Sequence, residues 1–173
     1  QDAACRAVLN ADNAITRGFA ADTAAPVYFF SRREKPARGA WLTPDGMLVM
    51  TENGVDTPLL PAAEIRLPGV HNVENFLAAA CAVWGKAGPE AVADLARRFG
   101  GVPHRCELIR ERRGVKYYND SIASSPTRTI AGLRAFREKS PERKNVILIA
   151  GGYDKHIPYE PLGPPAAETV KEA

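Results

Sequence analysis

The chain has 173 residues, 45% of them apolar and 25% charged, and carries a net charge of +3 at pH 7. These are ordinary globular values; they argue against wholesale disorder, and so small a charge with both signs interspersed does not point to nucleic acid. No run of about 18 apolar residues occurs, which excludes a transmembrane helix. The three cysteines, Cys5, Cys81 and Cys106, lie far apart and fit reduced thiols better than a disulfide framework or a zinc site. Gln1-Asp2-Ala3-Ala4-Cys5 shows no initiator Met and no signal-peptide pattern, so a piece of a longer chain is expected.

In chain order, residues 5–9 read as a short strand running into the polar turn Asn10-Ala11-Asp12-Asn13. Val27-Tyr28-Phe29-Phe30 is a second strand, rich in aromatic and β-branched residues. Ala40-Trp41-Leu42 and Met47-Leu48-Val49-Met50 flank Pro44-Asp45-Gly46, a hairpin signal, and residues 57–60 add a further strand candidate. The period then changes. Val73, Phe76, Leu77, Ala80, Val83 and Trp84 recur at helical spacing, with Asn72 as a cap and Gly85 and Gly88 as terminators. Pro89 opens a second helix with Val92, Leu95, Ala96 and Phe99 on one face.

Gly100-Gly101-Val102-Pro103 breaks that helix and predicts a domain boundary, dividing residues 1–101 from 102–173. A hairpin is expected from residues 107–112 and 115–119 around Arg113-Gly114. Ser125-Pro126 then caps a helix running through Ile130, Leu133 and Phe136. Val146-Ile147-Leu148-Ile149-Ala150 has the pattern of a parallel strand buried on both faces. Gly151-Gly152-Tyr153-Asp154-Lys155 follows it, and residues 166–173 are a short helix candidate. The order of elements is that of an α/β protein.

Four loci can carry chemistry. Beyond the apolar strand, Gly151-Gly152 permits close backbone approach to a ligand, and Lys155 supplies an ammonium for a carboxylate or phosphate. The same residues also suit a plain turn with a solvated lysine. Asn119-Asp120-Ser121 ends a strand and leads into Ser124-Ser125-Pro126 at a helix start, which favours anions; Asp120 could instead meet a Mg²⁺-bound water or a ribose hydroxyl, or the loop could serve only as a cap. His71 and Asn75 share one helical face, where Asn could read a planar edge such as adenine, although capping alone also accounts for the cluster. His104-Arg105 sits at the predicted boundary, where Arg105 could reach a phosphate or form a surface ion pair. His156 is too weak a signal to assign. No Ser/His/Asp set, CxxC pair, HExxH or GxxxxGK[ST] loop is present.

Together, Leu67-Pro68-Gly69-Val70-His71-Asn72-Val73-Glu74-Asn75-Phe76-Leu77-Ala78-Ala79, Val102-Pro103-His104-Arg105, Tyr118-Asn119-Asp120-Ser121 and Gly151-Gly152-Tyr153-Asp154-Lys155 resemble the Mur ligase family, and within it the D-glutamate-adding member. Val8-Leu9-Asn10-Ala11-Asp12 also resembles a strand end of that family's central domain.

The resemblance implies the end of a P-loop-type central ATPase domain over 1–101 and a partial, truncated Rossmann-like, amino-acid-binding domain over 102–173. It implies ATP and Mg²⁺ as cofactors, and UDP-N-acetylmuramoyl-L-alanine and D-glutamate as substrates. A monomeric cytoplasmic ligase of peptidoglycan precursor synthesis follows from it, with no nucleic acid and no membrane insertion.

Carried over by position, His71, Asn72 and Asn75 would shape the adenine side of ATP, Arg105 would reach its phosphates, and Asp120 would sit near its ribose or phosphates. Lys155 would bind a D-glutamate carboxylate with Ser124 nearby, and Lys155 and Arg105 would be the catalytic cations. Asn75, Arg105, Asp120 and Lys155 are expected around one cleft. Ile122 stands where the family often has Lys, and Ser124 where it often has Thr. The nucleotide-sugar domain, the Walker A loop and a carbamylated lysine would precede Gln1, and further D-glutamate contacts would follow Ala173, so this stretch alone is expected to be inactive. A sister Mur ligase, folylpolyglutamate synthase or a non-catalytic nucleotide-binding module are the alternatives.

Overall fold

The computed structural model describes all residues except Gln1, Ala3, Asp154 and Lys155. The chain divides into two compact units. The first holds residues up to Leu67 and His71–Phe99; the second holds Pro68–Val70 and Gly100–Ala173.

The first unit is built on a five-stranded mixed sheet in the order β1 (Ala7–Asn10), β2 (Val27–Ser31), β3 (Gly39–Leu42), β4 (Met47–Glu52) and β5 (Val55–Pro61). The first three strands are parallel, and β4 and β5 add on antiparallel. Between β1 and β2 a short helix, α1 (Ala14–Gly18), starts where the Asn13 side chain accepts from the amides of Ile15 and Thr16. The β4–β5 turn is the two-residue Asn53-Gly54, both at positive φ (52° and 76°), as a tight hairpin of right-handed twist requires. At the β2–β3 pairing Gly39 lies opposite Phe29 with φ +135°, and a Cβ there would sit 1.7 Å from the Phe29 carbonyl oxygen. Only glycine lets these two strands meet.

Helices α2 (Val70–Val83) and α3 (Pro89–Arg98) complete the unit. The α2 helix buries Phe76, Leu77, Ala80 and Cys81 against a core that includes Tyr28, Ala40, Leu48, Met50 and Leu60. The Cys81 thiol accepts from the Ala40 amide at 3.2 Å, and burial pushes its pKa up to about 12. Arg6 closes the C-terminal end of α2: its Nη1 donates to the carbonyls of Cys81 (2.6 Å) and Trp84 (2.8 Å), while its guanidinium lies 4.1 Å from the centre of the Tyr28 ring. The Tyr28 hydroxyl donates to Glu52, whose other oxygen accepts from Trp84 Nε1 at 2.8 Å. Two helix expectations are corrected. The α2 helix begins at Val70, so Asn72 is a first-turn residue rather than the cap. On α3 the buried residues are Val92, Ala93 and Ala96, with Leu95 and Phe99 exposed: the small side chains face inward and let the helix approach closely.

In the second unit the expected hairpin forms from β6 (Glu107–Arg112) and β7 (Val115–Asn119), and α4 (Pro126–Lys139) follows with Pro126 at its first position. The Tyr118 and Phe136 rings meet edge to face at 4.8 Å, joining hairpin and helix. The apolar run after α4 departs from expectation. Only Val146–Ile147 forms a strand, β8, and it pairs in parallel with one short neighbour, β9 (Val170–Glu172). Ile147 is 63% exposed and Ile149 96%, so this is not a doubly covered strand: a parallel strand is buried only when sheet and helices flank it on both sides. The C-terminal helix, α5 (Gly163–Thr169), starts earlier than expected and yields to β9. Among the described residues no helix is long and apolar enough to cross a membrane.

Candidate functional site

In the first unit the parallel strands β1 and β2 point their carboxyl ends the same way, the edge at which open α/β sheets place ligands. Asn10 ends β1, and its side chain accepts from the Asp12 amide at 2.8 Å. The Asp12 carboxylate then ties the two strand ends together, accepting from Ser31 Oγ (2.6 Å) and from the Arg32 amide (2.8 Å). Ser31 is fully buried, and its Oγ accepts from the amides of Arg33 and Glu34, both at 3.0 Å. The Arg32 side chain runs on to Glu74 of α2, Nε to Oε1 at 2.6 Å.

The first turns of α2 carry the predicted polar residues. Asn72 Nδ2 lies 3.2 Å from His71 Nε2, and Asn75 Nδ2 donates to Asn72 Oδ1 at 3.2 Å. His71, Asn72 and Asn75 therefore form one chain of side chains: the Asn72–Asn75 bond spans the three-residue spacing of neighbours on a helix, and the His71–Asn72 contact joins consecutive residues. Asn75 is exposed, whereas the next residue, Phe76, turns into the core. Ser31, Arg32 and Glu74 were not singled out from sequence. Their signal was positional: a Ser-Arg pair directly after an aromatic strand, and an acid inside the His-Asn-x-x-Asn run.

In the second unit Arg105 is held between two residues in the left-handed region, His104 (φ 65°) and Cys106 (φ 45°). Such backbone persists only where its surroundings over-determine it. The His104 amide donates to Glu107 Oε2 (2.7 Å), the His104 carbonyl accepts from the Ile122 amide (3.3 Å), and His104 Nδ1 lies 2.8 Å from Asn119 Nδ2. The Cys106 amide donates to Asp120 Oδ1 at 2.9 Å. Burial pushes the Cys106 thiol up to about 11; the Asp120 charge adds to the rise and the Arg105 charge opposes it. Gly132 of α4 lies against this group: a Cβ there would make ordinary contacts, 3.4 Å from Cys106 Sγ and 3.6 Å from Asp120 Oδ2.

Ser124 is exposed, its amide donating to the Ile122 carbonyl at 2.8 Å. Ser125 occupies the N-cap position of α4, but its side chain makes no capping bond. Gly151 and Gly152 are exposed, with no side-chain-sized neighbour nearby. Lys155 lies outside the described residues. Among the described residues no three His, Cys, Asp or Glu side chains come together as a metal site. A cavity of ≈ 360 Å³ at the α2–α3 turn, lined by Trp84 to Pro89, contains none of the predicted site residues.

No protein-family model matches the chain. It is 54% identical over 171 residues to the UDP-N-acetylmuramoylalanine–D-glutamate ligase of Acetivibrio thermocellus, an alignment that covers 99% of this chain and 35% of the relative. It is 50% identical over 164 residues to the enzyme of the same name from Clostridium novyi, covering 95% of this chain and 33% of that one. The chain thus spans about a third of the length of the curated relatives it matches. Among solved structures, the fold matches a UDP-N-acetylmuramoylalanyl-D-glutamyl-2,6-diaminopimelate–D-alanyl-D-alanyl ligase from Acinetobacter baumannii. The TM-score is 0.56 at 14% identity, over 76% of this chain and 29% of the other. A pseudomurein peptide ligase type C from Methanothermus fervidus matches with a TM-score of 0.51 at 16% identity, over 81% of this chain and 35% of that one. Extensive identity along nearly the whole sequence and a shared fold agree with the motifs quoted above: the chain belongs to the Mur ligase family.

Proposed function

We propose that this chain is the nucleotide- and amino-acid-handling part of a ligase that joins D-glutamate to UDP-N-acetylmuramoyl-L-alanine at the expense of ATP. The observation that carries this reading is the 54% identity, over 99% of the chain, to a ligase named for that reaction. In this reading residues 1–101 close a P-loop-type central ATPase domain, and residues 102–173 belong to a Rossmann-like amino-acid-binding domain. The protein acts as a cytoplasmic monomer.

The chemistry asks for positioning more than for covalent help. The substrate carboxylate attacks the γ-phosphorus, ADP departs, and the acyl phosphate so formed carries a good leaving group. The D-glutamate amine adds to the acyl carbon, and the tetrahedral intermediate expels phosphate as the amide forms. Cations must offset the charge of two anionic substrates and a triphosphate. Asn75, with Asn72 and His71, holds the adenine side, since an amide side chain offers both donor and acceptor to a planar edge. Arg105 reaches the phosphates from a backbone already locked on both sides. Asp120 lies near the ribose or phosphates, and Lys155 takes a carboxylate of D-glutamate with Ser124 beside it. Mg²⁺ would arrive with the ATP phosphates, its usual partners.

The test is a graft. The chain replaces the matching third of the Acetivibrio thermocellus ligase, and amide formation is followed with D-glutamate, L-alanine and a diamino acid as acceptors. The expected result is ATP-dependent addition of D-glutamate alone, with none from the isolated chain, which has no GxxxxGK[ST] loop. Lys155→Ala in the graft should raise the D-glutamate KM by about 10- to 100-fold, the loss of one charge-assisted contact, and leave the ATP KM nearly unchanged. Preference for another acceptor, or equal effects on both substrates, would refute the assignment.

A further inference from the structure

The α2 helix is held differently at its two ends. From Phe76 onward its inner face is fixed by the core, and Arg6 closes its last carbonyls. From Val70 to Asn75 no residue is fully buried, and Val73 packs only partly against the core. Apolar packing alone therefore leaves open how this first turn and a half leans, yet it carries His71, Asn72 and Asn75. The Arg32–Glu74 ion pair ties this segment to the end of β2 at 2.6 Å, with both side chains 29% exposed. The arginine is itself anchored: its amide donates to Asp12, which also grips the fully buried Ser31. A half-buried charge pair with one partner fixed through its main chain is stiffer than a surface pair between two free side chains.

We infer that Arg32 and Glu74 are positioning residues for an adenine nucleotide: the pair sets the lean of the first turns of α2, and so the aim of Asn72 and Asn75, without either charge touching the nucleotide. This rests on the reading of α2 as the nucleotide-binding helix. Glu74 adjoins Asn75 and lies one turn from His71, so a shift of its backbone moves both. The unlike charges also make the order exchangeable, which gives a test that a merely structural role does not pass.

The experiment uses the grafted ligase and measures ATP affinity by titration calorimetry, together with KM for ATP and for D-glutamate. Glu74→Ala and Arg32→Ala should each weaken ATP about 5- to 10-fold and leave the D-glutamate KM within about twofold. Glu74→Arg and Arg32→Glu should be at least as damaging singly, and the double exchange R32E/E74R should restore ATP affinity to within about threefold of the unsubstituted graft. Asn75→Ala is the control. If it weakens ATP while the charge variants only lower the melting temperature, or if the exchange restores nothing, the positioning role is overturned and the nucleotide reading stands. If Asn75→Ala also leaves ATP affinity unchanged, or the folded graft binds no ATP, the nucleotide reading fails and this inference with it.

Discussion

The two units treat their apolar residues in opposite ways. In the first, Leu48, Met50, Leu77 and Cys81 are sealed from water, and a mixed sheet and two helices share one core. In the second, Leu133 and Ala135 are buried on α4, while Leu108, Ile109, Ile147 and Ile149 stand half or more exposed. The difference lies in the company, not the composition. Val146-Ile147-Leu148-Ile149-Ala150 is more apolar than any strand of the first sheet, yet among the described residues it pairs with β9 alone and leaves Ile147 and Ile149 in water. An apolar run is a capacity for burial, and neighbouring elements decide whether it is used.

Three substitutions probe this contrast, and Trp41 and Trp84, the chain's two tryptophans, both report on the first unit. The largest effect is expected from Gly39→Ala. Its Cβ would meet the Phe29 carbonyl at 1.7 Å, so β2 and β3 must separate. The expected loss is about 4 kcal/mol or more, read as tryptophan emission already red-shifted without denaturant. A native spectrum would show that the sheet tolerates a gap at its centre.

Glu52→Gln comes next. Glu52 is held below the usual carboxylate range first by the Tyr28 hydroxyl and then by Trp84 Nε1 and the nearby arginines. A carboxyl group depressed on folding stabilises fully above its unfolded pKa, about 4.3, and ceases to do so as pH falls through its lower folded value. The variant should lose about 1–2 kcal/mol at pH 7. Its urea midpoint should change less than that of the original chain between pH 7 and pH 3; parallel curves would remove Glu52 as a cause of acid sensitivity in this unit. The smallest effect belongs to Ile149→Ser in the second unit. With 96% of the side chain already in water, stability should move by no more than about 0.5 kcal/mol, and a larger drop in a chemical melt would mean that this surface is covered in solution.

Much of the first unit is legible from sequence because its signals are local. Aromatic and β-branched content marks β2, the Pro44-Asp45-Gly46 turn marks β3 and β4, and helical spacing with Pro89 marks α2 and α3. The Asn53-Gly54 turn between β4 and β5 is a signal of the same local kind. What sequence could not show is which face of α3 turns inward: Leu95 and Phe99 are more apolar than Ala93, but small residues win where a helix must come close. In the site, the Asn72–Asn75 bond follows from their three-residue spacing, whereas the contact between the consecutive His71 and Asn72 does not. Nor does the Arg32–Glu74 pair, because its members are 42 positions apart and meet through the packing of α2 against the sheet. The left-handed backbone around Arg105 was equally hidden, since neither His104 nor Cys106 signals it as glycine would.

The sheet's change of direction after β3 has a practical corollary. Because β4 runs back, the Asn53-Gly54 turn emerges at the margin opposite the ends of β1 and β2. Foreign sequence spliced between those two residues would extend an exposed ribbon and leave the Asp12–Ser31–Arg32 linkage undisturbed. That makes the turn the natural attachment point for a fluorophore or an affinity handle on this molecule.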